Sequence, residues 1–368
     1  MILVGYIILF VYVSIIVAAC VGFIKGIKSQ HANIGSDFSI VIAFRNEEKR
    51  IDNLLFSLEN SDLEQVNLNE VIFVNDHSSD GTVDKVKRWS NHNKFKVKIA
   101  HLNHDFGKKK AIHLGINHTL SNYVLTLDAD VQFDSKFLLK TSQTLDANNS
   151  LIIIPVIEKN GIIFSRIASH ALTILSVGLA SLGLPINVNG AASAFKREEY
   201  IKLDPLKNNY QISSGDDMFI LKAFLKSKEC IIKPFIIKGV HVLTDGPTDL
   251  SEFISRGVRW SSKMKLIKLP LINLIGIFIL MCNFYVYYFI FINHPFSSTS
   301  LLWLCIKFMS DLIILYFSFY FYDKKGITIF AIPMFLIYPL YLLTVLILNL
   351  FQVKMNWKDR PVLTTKSI

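Results

Sequence analysis

Two long apolar tracts limit what this chain can fold into. Residues 2 to 24 carry no charge, and residues 269 to 352 are almost continuously apolar, broken at His294-Pro295 and at Asp323-Lys324-Lys325-Gly326. About 20 apolar residues in a helix cross a bilayer, so the tracts predict helices near 2–24, 270–292, 300–322 and 327–351. The 368 residues are 51% hydrophobic, with a mean hydropathy of +0.40, greasier than a soluble protein of this size. Val17-Ala18-Ala19-Cys20 resembles a lipoprotein processing site. No basic segment precedes it and the apolar run continues past Cys20, so an uncleaved anchor is expected.

Flanking charge sets the orientation. Lys25, Lys28, Lys49 and Arg50 follow the first helix, and Lys263, Lys265 and Lys268 precede the second, which puts the polar middle in the cytoplasm, as in a bacterial inner-membrane protein. Lys324 and Lys325 agree after two more crossings. The tail does not: a fourth full crossing leaves Lys354, Lys358, Arg360 and Lys366 outside. Either the tail is exported or one segment is re-entrant or interfacial, and Pro333 and Pro339 single out residues 327–351. Basic flanks lying against anionic lipid account for the net charge of +10, and no aromatic-interleaved basic motif points to nucleic acid. Cys20, Cys230, Cys282 and Cys305 have neither metal nor disulfide spacing. The expected organisation is an anchor over 1–25, a cytoplasmic domain over 37–265, a transmembrane region of about three helices over 266–352 and a basic tail over 353–368.

In the cytoplasmic segment short apolar runs alternate with helix-period segments, the pattern of an α/β domain with a mostly parallel sheet. Strands are expected at Phe38 to Phe44, Glu70 to Asn75, Lys96 to Ala100, Tyr123 to Leu127 and Leu151 to Val156, with helices over 47–60, 82–92, 108–120 and 135–147. Ligands of such sheets bind beyond the carboxyl ends of the strands. There the strand Tyr123 to Leu127 runs into Asp128 and Asp130, oxygen ligands that suit Mg²⁺ or Mn²⁺ shared with a phosphate. Asp76 ends another buried strand, just before the capping residues Ser79 and Asp80. Gly107-Lys108-Lys109-Lys110 opens a helix, where lysines call for a nearby anion such as a diphosphate. Asp217 starts an amphipathic helix, from which its side chain can face a cleft, although in isolation the position reads first as an N-cap or first-turn acid.

Six strings taken together resemble membrane-bound family 2 glycosyltransferases of the GT-A fold. They are Ala43-Phe44-Arg45-Asn46-Glu47-Glu48, Asn75-Asp76-x-Ser-x-Asp-Gly-Thr, Gly107-Lys108-x-x-Ala111, Asp128-Ala129-Asp130, Gly215-Asp216-Asp217 and Arg256-x-x-Arg259-Trp260. Trp357-Lys358-Asp359-Arg360 resembles a string often found after the last helix of such enzymes. The resemblance implies that Ala43, Phe44, Arg45 and Glu47 line the base and ribose of a nucleotide-sugar, usually a UDP-sugar. It further implies that Asp76 holds the uracil or ribose, Asp128 contacts ribose or sugar, Asp130 binds the metal, and Asp217 is the general base of an inverting transfer. Asp216, where relatives more often have Glu, is assigned to the acceptor, and Arg256, Arg259 and Trp260 to diphosphate and acceptor; Arg256 replaces the more usual Gln.

The acceptor expected from the apolar stretch 161–183 and the adjoining membrane helices is a lipid or lipid-linked molecule at the cytoplasmic face. A processive polysaccharide synthase is the alternative within the same chemistry. A non-catalytic scaffold that keeps the fold is the alternative outside it.

Overall fold

The computed structural model describes residues 1–28, 35–91, 94–146, 148–207, 209–210, 212, 215–267, 269–322, 331–351, 356–357 and 360–361. The chain runs through α1 (Ile2–Lys28), β1 (Phe38–Phe44), α2 (Asp52–Glu59), β2 (Leu68–Asn75), α3 (Thr82–Ser90), β3 (Val97–His101), α4 (Lys108–Asn117) and β4 (Tyr123–Asp128). It continues through β5 (Gln132–Phe133), α5 (Phe137–Thr144), β6 (Leu151–Ile153), β7 (Val156–Glu158), α6 (Ile163–Ser181), β8 (Ala192–Lys196), α7 (Arg197–Leu203), α8 (Asp216–Lys226), β9 (Ile232–Pro234) and β10 (Val242–Thr244). After these come α9 (Leu250–Ile267), α10 (Pro270–Tyr287) with a π-helical extension Tyr288–Ile292, α11 (Ser298–Phe321), α12 (Ala331–Leu350) and the short strands β11 (Asn356–Trp357) and β12 (Arg360–Pro361). Two compact units result: Gly26–Lys159 with Asn187–Asp245, and Met1–Lys25 with Asn160–Ile186 and Gly246–Ile368.

The first unit is built on a seven-stranded sheet in the order β3-β2-β1-β4-β8-β6-β9. The strands β3, β2, β1 and β4 are parallel, and β8 is antiparallel to both its neighbours. β1 and β4 are buried along nearly their whole length, which is why they read as unbroken apolar runs rather than alternating ones. Register brings Ala43 beside both Val74 and Asp128, and Phe44 beside Asn75. The polar strings that follow these strands therefore emerge along one edge.

Three sequence expectations change. Leu151 to Val156 is not one strand: β6 joins the large sheet and β7 a separate three-stranded sheet, β5-β10-β7. Pro155 parts them, since it has no N–H for a ladder and its carbonyl accepts from Val242 N at 3.0 Å. The helix expected from residue 47 begins only at Asp52, because the amides before it are committed elsewhere: Glu47 N donates to Thr82 Oγ1 at 2.9 Å and Glu48 N to Asp80 Oδ2 at 3.1 Å. β8, rich in alanine, was not expected at all. It pairs with β4 by register and by a Thr126–Ser193 hydroxyl contact at 2.9 Å rather than by intrinsic strand preference.

In the second unit α1 and α11 run side by side in the same direction. Trp303 Nε1 donates to Gly5 O at 2.9 Å near one end, and Phe23 meets Phe321 edge-on at 4.8 Å near the other. Between them Lys307 pairs with Asp311 at 2.5 Å and reaches Asn283 Oδ1 at 3.2 Å, while Tyr12 Oη donates to Asp311 at 2.6 Å. Among the described residues five helices are long and apolar enough to cross a membrane: α1, α6, α10 with its extension, α11 and α12. The sequence reading anticipated all but α6. That helix meets α1 backbone to backbone, since a Cβ on Gly22 would lie 2.1 Å from Gly178 O. His170 Nδ1 of α6 also lies 2.7 Å from Ser318 Oγ of α11. Lys268, Lys324, Lys325, Lys354, Lys358, Asp359 and Lys366 lie outside the described residues.

The sheet unit's packing is testable at Gly115, where α4 crosses β1 and an added Cβ would sit 2.4 Å from Val41 Cγ1. Gly115→Val should overpack this contact at a cost of about 1–3 kcal/mol. The readout is a lower thermal midpoint in detergent; an unchanged midpoint would show that the helix can lift off the strand freely.

Candidate active site

Lys108 gathers the site. It is the first residue of α4, after Gly107 at φ 105°, a turn for which glycine is suited. Its ammonium lies 2.6 Å from Asp128 Oδ1 at the end of β4 and 3.4 Å from Asp216 Oδ2 at the start of α8, and donates to Gly190 O at 3.1 Å. Burial alone would lower the affinity of Lys108 for its proton, but Asp128, Asp216 and Asp217 together hold its pKa well above the usual lysine range. The neighbouring lysines do other work. Lys109 is buried, donating to Asn209 O at 2.8 Å with its ammonium 4.4 Å from the Phe219 ring centre, and Lys110 pairs with Asp105.

Around Lys108 the carboxylates crowd. Burial pushes the Asp128 carboxyl up to about 6; Lys108 opposes this, and the charges of Asp130 and Asp216 add to it. Asp130 Oδ2 is 3.4 Å from Arg50, whose other terminal nitrogen is 2.7 Å from Glu47 Oε2. Arg50 thus links two of the expected site residues. The sequence reading counted it only as a flanking charge, although its spacing of three from Glu47 was visible. Asp216, assigned to an acceptor, is buried and faces Lys108. Asp217 is half-buried, and its Oδ2 comes so near Gly190 that a Cβ there would lie 3.1 Å from it.

The loops that follow β1 and β2 are equally tied down. Asp76 is 5% exposed; its Oδ1 accepts from Gly107 N at 3.0 Å and its amide donates to Phe44 O at 2.9 Å. One residue thereby joins the ends of β1 and β2 to the start of α4. Asn46 at φ 51° exchanges hydrogen bonds with the β2 loop, accepting from Ser79 N at 2.9 Å and donating to Ser78 Oγ at 3.1 Å. Burial would raise the Asp80 carboxyl, yet hydrogen bonds from the Thr82 hydroxyl and from the Glu48 and Thr82 amides lower it, fixing Asp80 as a loop lock. Ala43 and Arg45 are half-buried on the same edge, with Phe44 packed beneath.

The edge of the sheet unit therefore brings together Ala43, Phe44, Arg45, Glu47, Asp76, Lys108, Asp128, Asp130, Asp216 and Asp217. Arg256, Arg259 and Trp260 belong to α9 in the other unit. Arg256 lies 3.9 Å from Glu252, and Trp260 is 45% exposed.

Residues 39–202 match the family described as Glycosyl transferase family 2. This stretch belongs to that family. The chain is 28% identical over 119 residues to a 4,4'-diaponeurosporenoate glycosyltransferase of Staphylococcus haemolyticus, covering 31% of this chain and 29% of the relative. It is 26% identical over 100 residues to a dodecaprenyl-phosphate galacturonate synthase of Rhizobium johnstonii, covering 27% and 30%. The chain thus spans under a third of the length of these curated relatives. A mannosyltransferase from Pyrobaculum calidifontis, solved in complex with GDP-Man and Mn²⁺, is similar in structure, with a TM-score of 0.53 at 16% identity, covering 95% of this chain and 99% of that one. At that identity the likeness speaks for the fold, and the family 2 domain is of the GT-A type.

The Lys108 cluster makes a signed prediction. An acid whose folded pKa is raised stabilises the fold most at low pH, and this contribution is lost as pH rises through the folded value, here about 6 for Asp128. Lys108→Ala removes the cation that makes ionised Asp128 and Asp216 tolerable. At pH 7.5 it should cost on the order of 1–3 kcal/mol, allowing for partial solvent exposure, and clearly less at pH 5. Thermal melts at the two pH values decide it; an equal loss at both would mean the pairing carries no charge dependence.

Proposed function

We propose that this protein transfers a sugar from a nucleotide-sugar, most simply a UDP-sugar, to a hydroxyl of a lipid or lipid-linked acceptor at the cytoplasmic face of a bacterial inner membrane. The carrying observation is the packing of Asp76, Lys108, Asp128, Asp130, Asp216 and Asp217 along the carboxyl edge of one family 2 sheet. Membrane-type helices in the same chain, and a dodecaprenyl-phosphate galacturonate synthase among the relatives, support a lipid acceptor.

A divalent cation fits this edge. Asp128 and Asp130 are hard oxygen donors, and their charge is balanced here by Lys108 and Arg50, a pairing that a bound cation and diphosphate can rearrange. Asp130, with Asp128 nearby, would hold it. Bound there, the metal supplies positive charge against the diphosphate as it leaves. The protein's own groups divide the remaining tasks. Asp76, with the Ala43 to Glu47 segment, holds the nucleoside. Lys108 can turn from its carboxylates to the diphosphate as a point charge. Asp217 takes the proton from the acceptor hydroxyl as its oxygen bonds to the anomeric carbon and the bond from that carbon to the nucleoside diphosphate breaks. Arg259 is suited to the diphosphate and Trp260 to the acceptor.

The relatives also include a poly-β-1,6-N-acetyl-D-glucosamine synthase of Staphylococcus epidermidis, so product length separates one transfer from many. Purified protein with membrane lipids should release UDP from one UDP-sugar of a panel. EDTA should abolish release and Mn²⁺ or Mg²⁺ restore it. Asp217→Asn should lower turnover by about 10²–10⁴-fold, the usual contribution of a general base, while nucleotide affinity stays near wild type. Neither binding nor turnover with any UDP- or GDP-sugar would overturn the proposal.

A further inference from the structure

Gly190 touches two charged groups of the site at once. Its carbonyl oxygen accepts from Lys108 Nζ at 3.1 Å. A Cβ added to it would lie 3.1 Å from Asp217 Oδ2, 3.5 Å from Asp217 Cγ and 3.6 Å from Asp217 Cβ, and these are the three nearest atoms. The backbone does not call for glycine here, since its φ lies outside the left-handed range in which Gly107 and Gly215 are found. What the position uses is the missing side chain.

Both partners in that contact are held from behind. Gly190 is the second residue of a turn in which Ala192 N donates to Asn189 O at 3.2 Å and Ala191 N to Asn189 Oδ1 at 3.0 Å. Ala191 O accepts from Asp128 N at 3.0 Å, which ties the turn to the end of β4. β8 follows directly, with Ala192 in register beside Leu127. On the facing side, Asp217 Oδ1 accepts from Met218 N at 2.8 Å at the head of α8. Oδ2 is the oxygen turned to Gly190. The carboxylate thus lies between a helix amide and a bare Cα, and the turn that carries this Cα is bonded to the sheet. A methyl group at residue 190 would therefore be met by movement of the carboxylate rather than of the turn.

We propose that Gly190 is a positioning residue of the transfer. Its bare Cα sets the direction in which Asp217 presents Oδ2, and its carbonyl holds Lys108, so one backbone unit fixes the spacing between the base and the cation offered to the diphosphate. This role rests on the function proposed above. In that step the acceptor hydroxyl oxygen bonds to the anomeric carbon, its proton passes to Asp217, and the nucleoside diphosphate leaves with the electron pair of the broken bond. Proton transfer needs the base oxygen within a window of about 2.6–3.2 Å from the hydroxyl. The few tenths of an ångström that a methyl at residue 190 demands of Asp217 are a large part of that window.

Gly190→Ala, Asp217→Asn and the double variant of the full-length chain test it, with turnover of a radiolabelled UDP-sugar followed in the presence of membrane lipids. Gly190→Ala should lower kcat by about ten-fold, as a sub-ångström misplacement of a reacting group does. KM for the UDP-sugar, UDP affinity by calorimetry and the thermal midpoint in detergent should stay at their wild-type values. In the Asp217→Asn chain the same substitution should slow the residual turnover no further, because its effect passes through that carboxylate. An unaffected kcat in Gly190→Ala overturns the positioning role. So does an equal loss in both backgrounds, or a loss that appears in UDP affinity or in the thermal midpoint instead of kcat. Asp217→Asn at wild-type turnover would instead overturn the base assignment itself, and the positioning role with it. A slow Asp217→Asn enzyme beside a fast Gly190→Ala enzyme removes the positioning role alone.

Discussion

One cation holds the candidate site together. Lys108 meets carboxylates delivered by the end of β4 and the start of α8, and the carbonyl of Gly190 in the segment leading to β8. Like charges so close in a partly buried setting repel by several kcal/mol at a protein-like dielectric, so without Lys108 at least one acid would keep its proton. Burial, with the charges of Asp130 and Asp216 adding to it, keeps the Asp128 carboxyl raised even beside Lys108. A single side chain thus ties the end of β4, the start of α8 and the segment before β8 to one point.

The backbone makes this possible at few positions. Gly107 at φ 105° and Gly215 at φ 89° turn the chain immediately before α4 and α8, so that Lys108 and Asp216 each begin a helix facing the same point. Asp76, bonded to the Gly107 amide, fixes one of those turns to the sheet. Glu47, Asn46 and Asp80 interlock the loops after β1 and β2. These loops are shaped by side chain to backbone hydrogen bonds rather than by burial, which is why residues there serve both as structure and as candidate ligand contacts.

The sequence revealed what depends on local pattern. Unbroken apolar strands ending in acids identified β1, β2 and β4, and with them the edge that carries Asp76, Asp128 and Asp130. Partnerships between distant segments were not legible. Nothing in Gly107-Lys108-Lys109-Lys110 says that only the first lysine faces the carboxylates while the second is buried against Phe219. Arg50 looked like one more basic flank until the fold brought Asp130 beside it. β8 escaped because alanine and serine carry no strand signal, and its place is set by its neighbours. α6 reads equally as a core helix or a membrane one, since an apolar stretch of that length fits both.

Connectivity decides between those readings of α6. The helix has 19 residues, about 28 Å at 1.5 Å per residue, and the segments that flank it both belong to the sheet unit. Residues 182–186 can span at most roughly 18 Å when fully extended, too little to return across a bilayer. If the two flanking segments lie on one side of a membrane, α6 does not cross it. Its contacts with α1 at Gly22 and with α11 at Ser318 both fall near the ends of those helices that adjoin Phe23 and Phe321. The chain passes between its two units at residues 25/26, 159/160, 186/187 and 245/246. A chain so interleaved cannot be divided into its two units by a single cut, and removing α1 and α11 would strip α6 of apolar partners.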